Sequence, residues 1–334
     1  MDVRLLIFIV ALCVFVAAMV LFTLAPAIVT YKTVFGRQDK TEGYKYFTPE
    51  DFGLTYEKLK VELYGGQLSC HIYSVKPVES CEKVVIFQHG FGAGVSSYMT
   101  EIAHFAKKGY AVVATDAYGC NASAGKNTKG FYAGAEALIA TYIGVNCDKR
   151  LKDKKIIAVG HSWGAYSVLA AGAVIKVDGV IALSAFNSPV QCLCTLLANV
   201  GGKLGKLYSH LVRGWFYLFN LFKFGAKGNV KAHKAIEKSG VKTLLIHGEK
   251  DAVVPLKFSA AAKAVGANVE KIILPDKKHN PYNTVAAEDK LASLMALNAD
   301  SAEGKAALAS FDWTAATEED GAVMEKIDSF IESV

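Results

Sequence analysis

Residues 154–164 read KKIIAVGHSWG, and the placement of everything else in the chain depends on Ser162 within them. Ile156, Ile157, Ala158 and Val159 form a short apolar run suited to a strand buried on both faces, and residues 165–175 continue with small and apolar side chains at helical spacing. The expectation is a strand, a sharp turn and a helix. In a turn that tight the central residue is forced into strained backbone angles, and its neighbours approach so closely that only glycine fits two positions before and two after. Gly160 and Gly164 hold those places. The pattern predicts a serine hydroxyl held out at the end of a sheet. A Gly/Ser turn whose hydroxyl merely caps the next helix is the competing reading.

At 334 residues and 52% hydrophobic, the chain can bury one large α/β core with insertions. The net charge of +6 is mild, and no basic run is interleaved with aromatics, which argues against nucleic acid as a partner. The seven cysteines show neither metal-ligand spacing nor a disulfide framework, and Cys192 and Cys194 read as core thiols as readily as redox-active ones. No cofactor and no metal is expected.

Residues 5–25 carry no charge, and about twenty-one residues at about 1.5 Å each are enough to cross the hydrocarbon of a bilayer. We expect a membrane anchor over 1–35, a polar linker over 36–55 and a soluble domain over 56–334. A cleaved signal peptide ending near Ala25-Pro26-Ala27 is the alternative, although the apolar stretch exceeds the usual length. Lys32, Arg37, Lys40 and Lys45 follow the span while only Arg4 and the amino terminus precede it, which favours a single pass with a cytoplasmic domain. The sequon Asn121-Ala122-Ser123 leaves the opposite side open.

Within the domain, residues 58–64 and 67–75 alternate around Gly65-Gly66 and predict an antiparallel hairpin at the sheet edge. The apolar run 84–87 is followed by Gln88-His89-Gly90-Phe91-Gly92-Ala93-Gly94. A glycine-rich turn at the carboxyl end of a buried strand lets backbone N–H groups point into the crevice, where an oxyanion needs them. The N–H of Phe91 and that of Trp163, directly after Ser162, are the assigned donors. No Gly-Lys-Ser/Thr follows, so the loop is not a Walker cradle, and His89 reads as a structural group. Helical pattern over 97–108 and 133–146, strands over 110–115, 180–183, 243–246 and 271–274, and a last helix over 321–331 complete an α/β fold. It has about eight mostly parallel strands with helices on both faces.

Four ordered signatures now carry a resemblance. They are His89-Gly90-Phe91-Gly92, Asp116-Ala117-Tyr118-Gly119 with Ser123-Ala124-Gly125, Gly160-His161-Ser162-Trp163-Gly164, and His247-Gly248 through Pro255 with Lys278-His279-Asn280-Pro281. From about residue 59 onward the chain resembles the α/β-hydrolase superfamily, in its serine aminopeptidase-like group with lipase- and esterase-like members. Cys120 and Ala122 depart from the glycines often found there. The resemblance implies a catalytic triad in the order Ser, acid, His, because a serine hydroxyl needs an imidazole to take its proton and a buried carboxylate to orient that imidazole. Ser162 is then the nucleophile, Asp251 in the loop past the strand over 243–246 the acid, and His279 past the last strand the base. Glu249 and, less well, Asp276 rival Asp251. Asp116 reads as structural, and the His161 side chain is expected to point away from the hydroxyl.

The resemblance also implies a helical cap over 187–236, in the insertion after the strand over 180–183. Its Trp215-Phe216-Tyr217-Leu218-Phe219 run suits an apolar acyl chain, or simply packs the cap onto the core. Lys203, Lys206, Arg213, Lys223 and Lys227 around that run raise a third expectation, a helix resting on an anionic membrane that admits a lipid-like substrate. No substrate-binding residue is assigned. The chemistry expected is hydrolysis of a carboxylic ester or thioester of a small-molecule or lipid-like acyl substrate. An aminopeptidase or amidase is the enzymatic alternative, and a membrane-bound binding protein without turnover is the alternative of another class. The oligomeric state is left open.

Overall fold

The computed structural model describes residues 2–297 and 301–334. In chain order the strands are β1 (Thr55–Lys58), β2 (Val61–Leu63), β3 (Gly66–Leu68), β4 (Cys70–Ser74), β5 (Lys83–Gln88), β6 (Ala111–Thr115), β7 (Lys155–His161), β8 (Gly179–Leu183), β9 (Lys242–Gly248) and β10 (Val269–Leu274). The helices are α1 (Val3–Val34), α2 (Met99–Lys107), α3 (Tyr132–Cys147), α4 (Trp163–Ala171), α5 (Pro189–Phe224), α6 (Ala232–Ser239), α7 (Val285–Met295), α8 (Ala302–Ala309), α9 (Trp313–Ala316) and α10 (Gly321–Glu332). Eight strands form one sheet in the order β1-β4-β6-β5-β7-β8-β9-β10, parallel from β6 onward. This is the α/β-hydrolase fold. Strands β5 to β9 are buried runs of Val, Ile, Leu and Ala because helices cover both faces of the sheet.

The hairpin is one long arm whose register is the same throughout, pairing Thr55 with Ser74, Lys58 with His71 and Val61 with Leu68. Only its base joins the main sheet, through β4 on β6, and its tip, β2 with β3, stands apart. Between them the loop after β6 takes over the pairing, with Ser123 Oγ accepting the Ser69 N–H and Ala124 N–H donating to the Gln67 carbonyl. The turn is Tyr64-Gly65, both at positive φ, and not Gly65-Gly66, because Gly66 pairs with Leu63.

Helix α1 is long and apolar enough to cross a membrane. Its first two-thirds are exposed, but Ala27, Tyr31 and Phe35 at its C-terminal end are buried in the domain. The stretch expected as a linker is tied down where it begins. Gly36 bridges Asn127, Gln38 bridges Cys120, and Arg37 Nη1 donates to the carbonyls of Ser123 at 3.2 Å and Gly125 at 2.6 Å. The region expected as a cap holds two helices within α5, which meet at Gly202 with φ 55° and ψ −134°, followed by α6.

Candidate active site

Strand β7 ends at His161 and α4 begins at Trp163, so Ser162 alone makes the turn, at φ 55° and ψ −110°. The close approach is visible at Gly164, where a Cβ would lie 1.9 Å from the Gln88 carbonyl oxygen of neighbouring β5. Any larger residue would push the start of α4 away from the end of β5. The turn is pinned by the Ser162 N–H, which donates to the Leu183 carbonyl at 2.8 Å.

Two loops at the same rim of the sheet supply the partners. Nε2 of His279 lies 3.0 Å from Ser162 Oγ, and its Nδ1 lies 2.8 Å from Asp251 Oδ2. The other carboxylate oxygen, Oδ1, accepts the N–H groups of Val253 at 2.9 Å and Val254 at 2.8 Å. The Asp251 side chain is buried, and burial alone would push its pKa up. The hydrogen bond and charge of His279, with the Val254 N–H and His247, outweigh that and hold it below the ordinary carboxylate value. Asp251 therefore stays ionised and can accept a hydrogen bond from Nδ1–H, leaving the Nε2 lone pair to take a proton from the serine. The rivals lie elsewhere: Asp276 pairs with Lys250 at 2.9 Å on the surface, and Glu249 is exposed.

The His279 loop is held from three sides. Gly248 lets the end of β9 press against it, since a Cβ there would lie 2.1 Å from the Lys278 carbonyl oxygen. Glu288 on α7 accepts the Lys278 N–H at 2.8 Å and the Asn280 N–H at 2.7 Å, bracketing the histidine with one buried carboxylate. From beneath, His161 Nε2 lies 2.9 Å from the His279 carbonyl oxygen, which can only accept, so Nε2 carries the proton. Nδ1 of His161 then accepts from the Tyr98 hydroxyl at 2.8 Å, and that hydroxyl accepts the Gly90 N–H at 3.1 Å. Burial, helped by the nearby His279 imidazole, lowers the His161 pKa to about 3 and keeps the ring neutral. His161 does point away from the hydroxyl, and it ties the His279 loop to the glycine-rich loop after β5. Neither Glu288 nor Tyr98 was predicted from sequence; each holds backbone N–H groups eight to ten residues away in the chain, a contact that leaves no motif.

Phe91 and Trp163 flank Ser162, their rings 5.4 Å apart edge to face. Neither backbone N–H has a hydrogen-bond partner among the described residues, and Trp163, at the first position of α4, has none within its helix. The Trp163 indole N–H donates to the Phe131 carbonyl at 2.6 Å and fixes the residue. His89 accepts the Ala117 N–H at Nε2 and holds the Gly90 carbonyl through Nδ1, a structural arrangement. Asp116 Oδ1 accepts the Val95 N–H at 2.8 Å. The sequon asparagine is half-buried, its amide donating to Asp116 Oδ1 at 3.3 Å. All seven cysteines are free.

Comparison with known proteins agrees with this architecture. Residues 83–216 match the family model for the alpha/beta hydrolase fold. The protein ABHD8 of Bos taurus and that of Homo sapiens are each 32% identical over 102 residues, covering 28% of this chain and 22% of their own length. The chain thus spans only about a fifth of the curated relatives it matches. Among solved structures, an esterase of Pyrococcus furiosus superposes with TM-score 0.55 at 20% identity, covering 83% of this chain and 97% of its own. An acylaminoacyl peptidase of Pyrococcus horikoshii gives 0.52 at 16%, covering 68% and 38%. These likenesses are of fold. Taken with the strand order and the family model matched over residues 83–216, they show that the chain has the α/β-hydrolase fold.

Proposed function

We propose that the protein is a membrane-anchored serine hydrolase that cleaves carboxylic ester or thioester bonds, with apolar acyl groups as the preferred substrates. The observation that carries this reading is the unbroken chain of contacts from Ser162 Oγ to His279 at 3.0 Å and from His279 to Asp251 at 2.8 Å. In the first step His279 Nε2 takes the hydroxyl proton as Ser162 Oγ attacks the carbonyl carbon. The N–H groups of Phe91 and Trp163 donate to the oxygen as it gains charge. His279 then passes its proton to the leaving alkoxide or thiolate, and an acyl-serine remains. Water, deprotonated by the same imidazole, releases the acid and restores the hydroxyl.

The anchor reading is supported by Ala27, which lies inside α1 and is fully buried against the domain, a poor place for a cleavage site. The four basic residues after the span favour a cytoplasmic domain. The test is hydrolysis of p-nitrophenyl esters of graded acyl length by the full-length protein in detergent, beside aminoacyl anilides. Ester turnover that improves with chain length is expected. Turnover of the anilides alone, or of neither series, contradicts the proposal.

A further inference from the structure

Between Asp178 and Glu237 the chain has no acidic residue and seven Lys or Arg; of those in the second half of α5, Lys223 donates to the Lys129 carbonyl at 3.1 Å, while Lys206 and Arg213 lie on the side away from α1. With successive residues about 100° apart around the axis, Gly205, Ser209, Val212, Phe216 and Asn220 face the core and are buried. Next around the helix come Tyr208, Trp215 and Phe219, which meet α1. Trp215 Nε1 donates to Thr23 Oγ1 at 3.0 Å, Tyr208 shares a hydrogen bond with Thr30 at 2.8 Å, and Phe219 lies edge-on to Tyr31. Beyond them the solvent side carries an apolar arc of Leu204, Leu207, Leu211, Leu218 and Phe222, where Leu204 is 79% and Phe222 83% exposed. Lys206, His210 and Arg213 follow on its far edge.

Burying half of an amphipathic helix in the core normally leaves a polar outer face. Here the outer face is apolar next to α1 and basic away from it. Its depth is set by Thr23, nineteen residues past Arg4 in α1, about 28 Å along the axis and close to the thickness of the hydrocarbon, so the bond from Trp215 holds α5 near one end of a span that begins at Arg4. An indole at that level suits the boundary between hydrocarbon and water.

We propose that the second half of α5 lies on an anionic bilayer leaflet beside α1, with its Leu204-to-Phe222 arc among the headgroups and its basic edge on the lipid phosphates. This rests on reading α1 as a membrane span. The cap over the candidate site is then itself the membrane-contacting surface, and an acyl substrate reaches it from the leaflet.

The test places a benzophenone amino acid at Leu207 or Phe222 in the full chain, reconstituted in phosphatidylcholine vesicles with and without phosphatidylserine. Phe15 on α1 and Val265, exposed before β10 at the opposite end of the sheet from Ser162, serve as references. Lipid adducts at 207 and 222 several-fold above those at 265 are expected, rising with phosphatidylserine. They should fall in the Lys206→Glu, Arg213→Glu double variant while the Phe15 adduct is unchanged. Adducts at 207 and 222 no higher than at 265, or adducts to a second copy of the chain, overturn the proposal while a strong Phe15 adduct leaves the span standing. Loss of the Phe15 adduct as well removes both.

Discussion

Phe35, the residue that caps the C-terminus of α1, packs edge to face against Phe91, with ring centroids 5.9 Å apart at 77°. Phe91 is the residue whose N–H is assigned to the oxyanion, and both rings also lean on Phe131, at 4.9 and 5.4 Å. Helix α1 and the candidate catalytic rim therefore share one aromatic cluster.

Phe35→Ala empties a buried site and should destabilise the domain by about 3–5 kcal/mol. Its distinguishing effect is on chemistry. An oxyanion donor is worth about 10²–10³ in kcat, so a loosened Phe91 loop predicts about a tenfold loss of kcat on a short ester with KM little changed. Phe35→Leu should restore most of it. Steady-state kinetics normalised to folded protein checks this, and an unchanged kcat in the alanine variant would separate the anchor from the site.

Glu288 is the positioning residue for His279. Glu288→Gln replaces one of its two acceptor oxygens by an NH₂ group facing a backbone N–H, and one buried donor loses its partner at about 1–3 kcal/mol. We expect a lower melting temperature and about a tenfold lower kcat, with the same KM. A variant that melts earlier but turns over normally would reduce Glu288 to a purely structural brace.

Acid should unfold the domain through its buried imidazoles. Burial lowers the pKa of His161 to about 3, and those of His89 and His247 in the same direction. Below pH about 6.5 the unfolded chain binds protons that these folded rings refuse, so stability is lost as pH falls, by about 1.4 kcal/mol per pH unit per group. Glu101 opposes them. Burial, with the charge of Glu319, raises it to about 8, so between about 4.5 and 8 its share grows as pH falls. His71 and His233 are shifted the same way as those three imidazoles and Glu288 the same way as Glu101, so five groups against two predict a net loss between pH 6 and 5, measured as the denaturant midpoint. His161→Gln should flatten that dependence; an equal slope in the variant would show that His161 is not held neutral.

Much of the catalytic rim was legible because its constraints are local. Gly160 and Gly164 are demanded by the turn around Ser162, and the family resemblance points to Asp251 and His279 in loops that follow two of the predicted strands. The hairpin turn was misread by one residue because the Gly65-Gly66 pair hid that Tyr64 itself adopts positive φ. The tip was not seen to leave the sheet, since the alternation runs on unbroken while a distant loop captures its backbone groups. The stretch past residue 281 carried no pattern pointing to Glu288, whose role exists only once α7 folds back on the His279 loop. The docking of α1 was equally invisible: an apolar run reads as membrane-spanning along its whole length, and only contacts with α5 and Phe91 mark where its exposed part gives way to the part packed on the core.

The central claim is that Ser162 is a nucleophile made reactive by His279 and Asp251. The direct measurement is labelling of the full-length protein with a fluorophosphonate probe, followed by peptide mapping, in the native chain and in Ser162→Ala and His279→Ala. One adduct on Ser162, absent from the first variant and strongly slowed in the second, is the predicted result. Labelling that persists in Ser162→Ala, or a native protein that does not label at all, would contradict the account.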